Sequence, residues 1–275
     1  MSLFFLLMLF PMGMVFRYSV LDGAILKPDP QFVGAANFLT IFSDPVFIQS
    51  IGNTFYFTLM SVAFHLLIGL VFALLLNSDK VNHILRAILR VLFILPWLFT
   101  AVIIAIVWRL ILDPNGVING YLMALGVIDY KIEWFSSTAT AIHALTFVNI
   151  WAGYPLYMVS LLAGLQGIPK ELYEAASLDG ANGPNKLWFI TLPQLFPIMI
   201  SIALLDFIWT MQVFPLVWMT TGGGPINTTE MLSTYTYKLA FTRYQFSAAA
   251  ASAVVIFFLS MILTYFYIRH QRRLR

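Results

Sequence analysis

The chain has 275 residues, 60% of them hydrophobic and 10% charged, with a mean hydropathy of +0.86, whereas a soluble domain is about a quarter charged and could not bury so much apolar surface. The bilayer is therefore the solvent for most of the chain, and with no cysteine there is neither a disulfide framework nor a Cys-based metal site. The net charge of +3 comes with a basic tail, Arg269, Arg272, Arg273 and Arg275, directly after an apolar run, which is the pattern of a cytosolic membrane flank rather than of a nucleic-acid surface.

A helical span needs roughly 20 predominantly apolar residues, and six segments qualify: 1–19, 51–77, 88–111, 140–165, 194–220 and 247–268. The first starts at the initiator methionine without a basic stretch and carries Arg17 near its end; a cleaved leader or a shortened start are its alternatives. The loop 20–50 holds Asp22-Gly23, Phe32 and Phe38, and the loop 112–139 holds Asp113-Pro114-Asn115-Gly116, Trp134 and Phe135. With Gly222-Gly223-Gly224-Pro225, Tyr235 and Tyr237 of the loop 221–246, these are turn formers interleaved with interfacial aromatics. No repeat of 20 to 50 residues is visible.

Orientation follows from the lysines and arginines. The loops 78–87 and 166–193 and the tail hold Lys80, Arg86, Arg90, Lys170, Lys186 and the four tail arginines, nine in all, against six on the other side: Arg17, Lys27, Arg109, Lys131, Lys238 and Arg243. Acidic residues number four on the first side and seven on the second. The first side is cytosolic, and both termini face it.

Residues 166–193 are too long for a turn and too polar to span. Pro169 at a position like N1, then Glu171 and Glu174 early and Ala175-Ala176, predict a short helix. Asp179-Gly180 ends it, and a second short segment, Asn185 to Thr191, brings Trp188 and Phe189 to the interface before Pro193 opens the fifth span. An interfacial helix that merely connects two spans would read in the same way.

The spacing here is specific. Glu174-Ala175-Ala176, three residues, Gly180, nine residues, Ile190, one residue, Leu192-Pro193 resembles the EAA motif of binding-protein-dependent ABC importer permeases. Trp151-Ala152-Gly153-Tyr154-Pro155, Leu165-Gln166-Gly167-Ile168-Pro169, Leu172-Tyr173-Glu174-Ala175-Ala176 and Thr221-Gly222-Gly223-Gly224-Pro225 are similar to the MalF/UgpA-like permeases of its carbohydrate-importing branch. The similarity runs over about residues 2–268; the departure is the missing basic stretch before the first span. The resemblance implies an all-α, type-I ABC importer permease (MetI-like) fold with a cytosolic coupling helix. It also implies a first helix and outer loop over 1–49, a permease domain over 50–268 with the coupling loop at 166–193, and the tail 269–275. Glu174, Ala175, Ala176, Asp179 and Gly180 would seat in a cleft of a cytosolic ATPase: the alanines admit a close backbone, Glu174 offers an anion, and Gly180 lets the chain reverse. The implied partners are a second, MalG/UgpE-like permease, two cytosolic ATPase subunits that bind the ATP and magnesium, and an extracytoplasmic solute-binding protein. The cargo would be a sugar or related carbohydrate, glycerol-phosphate included, and the setting a bacterial inner membrane.

Within the spans Asp206 stands out, because an ionisable group in a membrane is costly and faces a cavity or a partner, and no lysine or arginine lies within two turns of it. Helical spacing puts Asp206, Trp209, Thr210 and Val213 on one face with Gln212 at its flank. An acceptor, an indole and an amide side by side suit a sugar, whose hydroxyls want hydrogen bonds and whose C–H faces want aromatic surface. The plainer reading pairs Asp206 with a polar group of the second permease and packs Trp209. In the fourth span, the family lines its cavity with the region matching Ala152, Gly153 and Leu156, and Tyr154-Pro155 would bend the helix there, so Gly153 and Tyr154 are read as pathway residues; Trp151 and Tyr157 read equally as lipid-facing or packed. His65, alone in the second span, reads as a satisfied interhelical hydrogen bond more readily than as a proton carrier, and Trp97 beside Pro96 either lines the path or packs at a kink.

No catalytic constellation accompanies these groups. The Gly222-Gly223-Gly224 run lacks the Lys-Ser/Thr of a phosphate loop, and the histidines at 65, 83, 143 and 270 lack metal-ligand spacing. The rival from another class is an ion-coupled secondary carrier with Asp206 as its coupling carboxylate, although neither the inverted repeats nor the interrupted helices of such carriers are visible.

Overall fold

The computed structural model of the chain describes residues 5–78 and 81–273. Lys80 and Arg275, both counted for orientation, lie outside the described residues, as do the side chains of Arg272 and Arg273. In chain order the helices are α1 (Phe10–Ser19, after a π turn at Phe5–Leu9), α2 (Ala36–Phe42), α3 (Pro45–Asn77), α4 (His83–Leu98), α5 (Ala101–Ile111) and α6 (Val117–Ala124). They continue as α7 (Ala141–Gln166), α8 (Lys170–Leu178), α9 (Gly183–Met211), α10 (Pro215–Thr220), α11 (Leu232–Tyr237, running on into a π turn at Lys238–Thr242) and α12 (Phe246–Arg273).

Among the described residues α3, α7, α9 and α12 are long and apolar enough to cross a membrane, and α4 with α5 makes a fifth span if that bent pair is counted as one. Only 15 residues of the expected first span, 5–19, are described, short of a crossing by themselves. The expected third span, 88–111, is not one rod but two helices bent by 100°. Pro96 sits inside the end of α4, and Phe99 is extended, with φ −84° and ψ 144°. Thr100 then starts α5, its hydroxyl taking the N–H of Ile103 at 3.4 Å and its carbonyl that of Ile104 at 3.0 Å: a helix-destabilising proline followed by a capping threonine gives one helix an end and the next a beginning.

The fifth span also differs from expectation. It begins at Gly183, capped by the Asn182 side chain on the Asn185 N–H at 3.0 Å, so Asn185 to Thr191 is its first part rather than a separate segment. Pro193 falls inside the rod because the turn before it, Leu187–Thr191, widens to the π register, with the Leu192 N–H reaching the Leu187 carbonyl; such a turn accommodates a residue that has no N–H of its own. The rod ends at Met211, ahead of Pro215, whose ring disfavours helical geometry in the residue before it.

The chain divides into two compact units. The first comprises Met1–Phe57, Ala105–Leu145 and Met211–Leu263, the second Thr58–Ile104, Thr146–Thr210 and Thr264–Arg275. In the first, Ile41, Phe47, Leu232, Tyr235, Leu239, Ala249 and Ala251 form the core. Asp44 caps α3 through the Val46 N–H at 2.8 Å and accepts the Tyr235 hydroxyl at 2.9 Å; burial, and then that hydrogen bond, raise the Tyr235 phenol above its ordinary pKa. Asn53 ties α3 to the carbonyls of Asn227 and Glu230, and the buried Glu230 pairs with Lys238. The second unit is built on α3, α7 and α9, with Ala73, Leu76, Tyr157, Met158, Leu161, Leu165 and Leu195 at its centre.

Candidate functional site

Two places in the second unit carry the residues singled out from the sequence. At the first, α8 is a helix of nine residues with none buried. Pro169 occupies its N-cap, one position earlier than expected, and Glu171 lies in its first turn. Its end is a Schellman motif: the Gly180 N–H reaches the Ser177 carbonyl at 3.1 Å and the Ala181 N–H reaches the Ala176 carbonyl at 2.8 Å. Gly180 has φ +77°, a left-handed conformation that a side chain would strain, so Asp179-Gly180 ends the helix as the sequence indicates. Two contacts brace the bend. Lys186 reaches the Ser177 hydroxyl at 2.5 Å, and the Tyr173 and Thr191 hydroxyls meet at 3.0 Å. Glu174 and Ala175 are exposed and Leu178 is 90% exposed, so a firmly capped helix presents a carboxylate, small residues and a large apolar side chain outward.

At the second place, α3, α7 and α9 converge on a buried polar cluster. Asp206 Oδ2 lies 2.8 Å from His65 Nδ1 and accepts the Tyr157 hydroxyl at 2.9 Å, while Oδ1 accepts the Thr210 hydroxyl at 3.0 Å. His65 Nε2 lies 2.9 Å from the Asn149 carbonyl. A backbone carbonyl only accepts, and so does an ionised carboxylate. Nε2 therefore carries a proton, and one further proton lies between Nδ1 and Oδ2; whichever of the two atoms holds it, the pair is neutral as a unit. This is how the span holds Asp206 without a lysine or arginine. Gly153 makes room for the ring, since a Cβ there would run into it. Close by on the same helices, Thr58 Oγ1, Ser61 Oγ and Asn149 Nδ2 are buried without a hydrogen-bond partner. Among the described residues no three His, Asp or Glu side chains come together to hold a metal.

The structure thus brings together Asp206, Thr210 and Gly153 from the sequence reading, and adds His65 and Tyr157, which that reading did not connect with Asp206. The signal was scarcity: His65 and Asp206 are lone ionisable groups of two spans, and each needs a partner. Tyr154 is buried with its ring 5.2 Å from that of Phe72. Trp209 points out of the cluster and is 59% exposed. Gln212 lies past the end of α9, in the first unit, where its amide donates to the Ser260 hydroxyl at 3.1 Å. Trp97 is exposed at the end of α4, next to the bend.

Comparison with known proteins adds to this geometry. The family described as binding-protein-dependent transport system inner membrane component matches residues 65–275. A probable ABC transporter permease protein of Brucella suis biovar 1 is 35% identical over 244 residues, 88% of this chain and 83% of the relative. The trehalose/maltose transport system permease protein MalF of Thermococcus litoralis is 33% identical over 263 residues, 94% of this chain and 86% of the relative. Among solved structures, a chain of the bacterial alginate ABC transporter, in complex with its alginate pentasaccharide-bound periplasmic protein, superposes with a TM-score of 0.83. It is 23% identical, over 99% of this chain and 91% of that one.

Proposed function

The chain belongs to the binding-protein-dependent transport system inner membrane component family, and from that premise we propose that it is the membrane-spanning permease subunit through which an ATP-driven ABC importer passes a carbohydrate. The single observation that carries this reading is the match over residues 65–275, which includes the capped, outward-facing α8. That a related permease is named for trehalose and maltose supports a sugar as cargo. The ion-coupled carrier that Asp206 alone raised gives way to this membership.

In the proposed assembly residues 50–268 form the permease domain, beside a second, similar permease. Two cytosolic ATPase subunits hold the ATP and magnesium, and an extracytoplasmic protein delivers the sugar. The side-of-membrane assignment draws support from the grouping of loops: 20–50, 112–139 and 221–246 belong with the first unit, and 78–87 and 166–193 with the second. With six spans and the lysine and arginine bias, both termini face the cytosol in this proposal. Glu174, Ala175, Ala176, Asp179 and Gly180 make up the contact with the ATPase, where Leu178 would lose its exposure. Because the Schellman turn and the Lys186 contact stiffen the loop, movement of the ATPases on binding ATP pulls α7 and α9 together rather than bending the connection. The pathway reading keeps Trp209 as a stacking surface for sugar and, separately, Gln212 of the first unit as a polar contact; Gly153 and Tyr154, packed against His65 and Phe72, lie behind the path. Asp206 and Thr210 act behind it, setting the position of α9 through His65 and Tyr157.

The test is ATP hydrolysis by the reconstituted complex. Glu174→Lys should abolish hydrolysis stimulated by the loaded binding protein while the subunit remains in the membrane; unchanged stimulation refutes the docking role of α8.

A further inference from the structure

A cavity of about 360 Å³ opens in the first unit, lined by Arg109 at the end of α5, Asp113, Trp134, Ser136, the end of α10 and Pro225, and none of the residues discussed above as a coupling or pathway group lines it. Its volume falls within the roughly 300–1,000 Å³ of small-molecule sites, and its walls are built rather than accidental. The buried Asn119 organises them: its amide donates to the carbonyls of Pro114 at 3.2 Å and Ile132 at 2.9 Å, and its oxygen accepts the Trp134 indole N–H at 3.2 Å. With that N–H committed, the ring surface is what Trp134 has to offer a ligand.

The charged groups are unspent. Arg109 gives one N–H to the Met219 carbonyl at 3.3 Å, leaving most of its five donors, and among the described residues it forms no ion pair. Asp113 Oδ1 accepts the Asn115 N–H at 2.8 Å, and Oδ2 has no partner among the described residues. A guanidinium and a carboxylate four residues apart that do not neutralise one another, beside an indole and the Ser136 hydroxyl, pair donors and acceptors around an aromatic surface. That is the chemistry of a pyranose, with hydroxyls on its rim and C–H groups on its faces. A lipid chain or an apolar peptide segment would instead strand both charges without water.

We propose that this cavity is a saccharide subsite on the outer loops, separate from the Trp209 region, which holds one sugar unit of the cargo before or as it enters the permease. The proposal rests on the carbohydrate reading above and adds to it a second place of contact. Asp113 and Arg109 orient the sugar through its hydroxyls, Trp134 carries its apolar face, and a carboxylated sugar would gain further from Arg109.

The experiment uses the full chain, assembled with its second permease and ATPase subunits in lipid nanodiscs, and carbene footprinting with trehalose, maltose, lactose and glucuronate as probes. Saturable protection of the peptide holding Trp134, Phe135 and Ser136 by at least one probe is expected. Asp113→Asn should weaken it about tenfold, the loss of one charge-assisted hydrogen bond, and Arg109→Gln should do the same from the other side of the cavity. Absence of protection with every probe overturns the subsite, and so does protection that neither substitution changes. Protection that appears only when the extracytoplasmic protein is added without sugar also overturns it and assigns the cavity to a protein contact. The peptide around Trp209 separates the two readings: if it is protected and the Trp134 peptide is not, the subsite falls and the carbohydrate pathway stands, whereas protection of neither removes both.

Discussion

Replacing His65 with leucine takes away the imidazole that lies 2.8 Å from Asp206 Oδ2 and 2.9 Å from the Asn149 carbonyl. Interhelical hydrogen bonds inside membrane proteins average about 0.6 kcal/mol, so the lost contact to Asn149 is a small part of the effect. The larger part is the carboxyl group left buried without its partner, for which the loss of one member of a buried pair, about 3–5 kcal/mol, sets the scale. Tyr157 and Thr210 still donate to Asp206, which keeps the expected cost near the lower bound, about 3 kcal/mol. Removing both members is different: His65→Leu with Asp206→Leu leaves no charge behind, and apolar replacement of a buried pair is often neutral or stabilising. The double variant should therefore recover to within about 1 kcal/mol of the parent, although each single variant is impaired. Unfolding of the assembled complex by titrated SDS in fixed detergent, read by helical circular dichroism, measures the whole cycle. Additive losses, or a His65→Leu cost below about 1 kcal/mol, would show that the two groups do not depend on one another.

Gly180→Ala places a Cβ at φ +77°, costing about 1–2 kcal/mol locally, and should lower stimulated ATP hydrolysis with normal membrane insertion; full stimulation would mean that the sharp end of α8 does not matter. Gly153→Ala drives a methyl into the His65 ring and should destabilise the complex by about 1–3 kcal/mol in the parent but by much less in the His65→Leu background, an epistasis read by the same unfolding assay. Trp209→Ala should weaken transport at low sugar-loaded binding protein more than at saturation, and an unchanged concentration dependence of uptake would remove the indole from the path. The raised Tyr235 phenol contributes stability that is whole below about pH 10, where the unfolded tyrosine is also protonated, and is lost as pH rises further. Stability measured between pH 9 and pH 11 should accordingly fall more steeply in the parent than in Tyr235→Phe, after comparison with the parent slope at lower pH; identical slopes would count against the buried hydrogen bond to Asp44.

What the sequence made legible is local. The end of α8 depends on residues within six positions of one another, so Asp179-Gly180 announced it, and the exposure of Glu174 and Leu178 follows from a segment too polar to span. The second and fourth spans were readable for a similar reason, since uninterrupted apolar runs allow little besides a membrane helix. The pairing of His65 with Asp206 spans 141 residues and depends on which faces of α3, α7 and α9 meet, which periodicity within any one helix does not fix. Thus the face grouping Asp206 with Trp209 proved divided by burial, Asp206 turned inward and Trp209 outward. The two revised spans share a cause as well. Proline acts through its surroundings: Pro193 passes inside a rod because a π turn precedes it, whereas Pro96, with Thr100 four residues on, ends one helix and starts another.

The central claim is tested most directly by uptake of labelled sugar into proteoliposomes that hold the chain, its second permease and the ATPase subunits, with the extracytoplasmic protein outside and ATP and magnesium inside. Accumulation that requires both the internal ATP and the extracytoplasmic protein, and persists when ion gradients are collapsed, is the predicted result. Uptake driven by a proton or sodium gradient in the absence of ATP would contradict it.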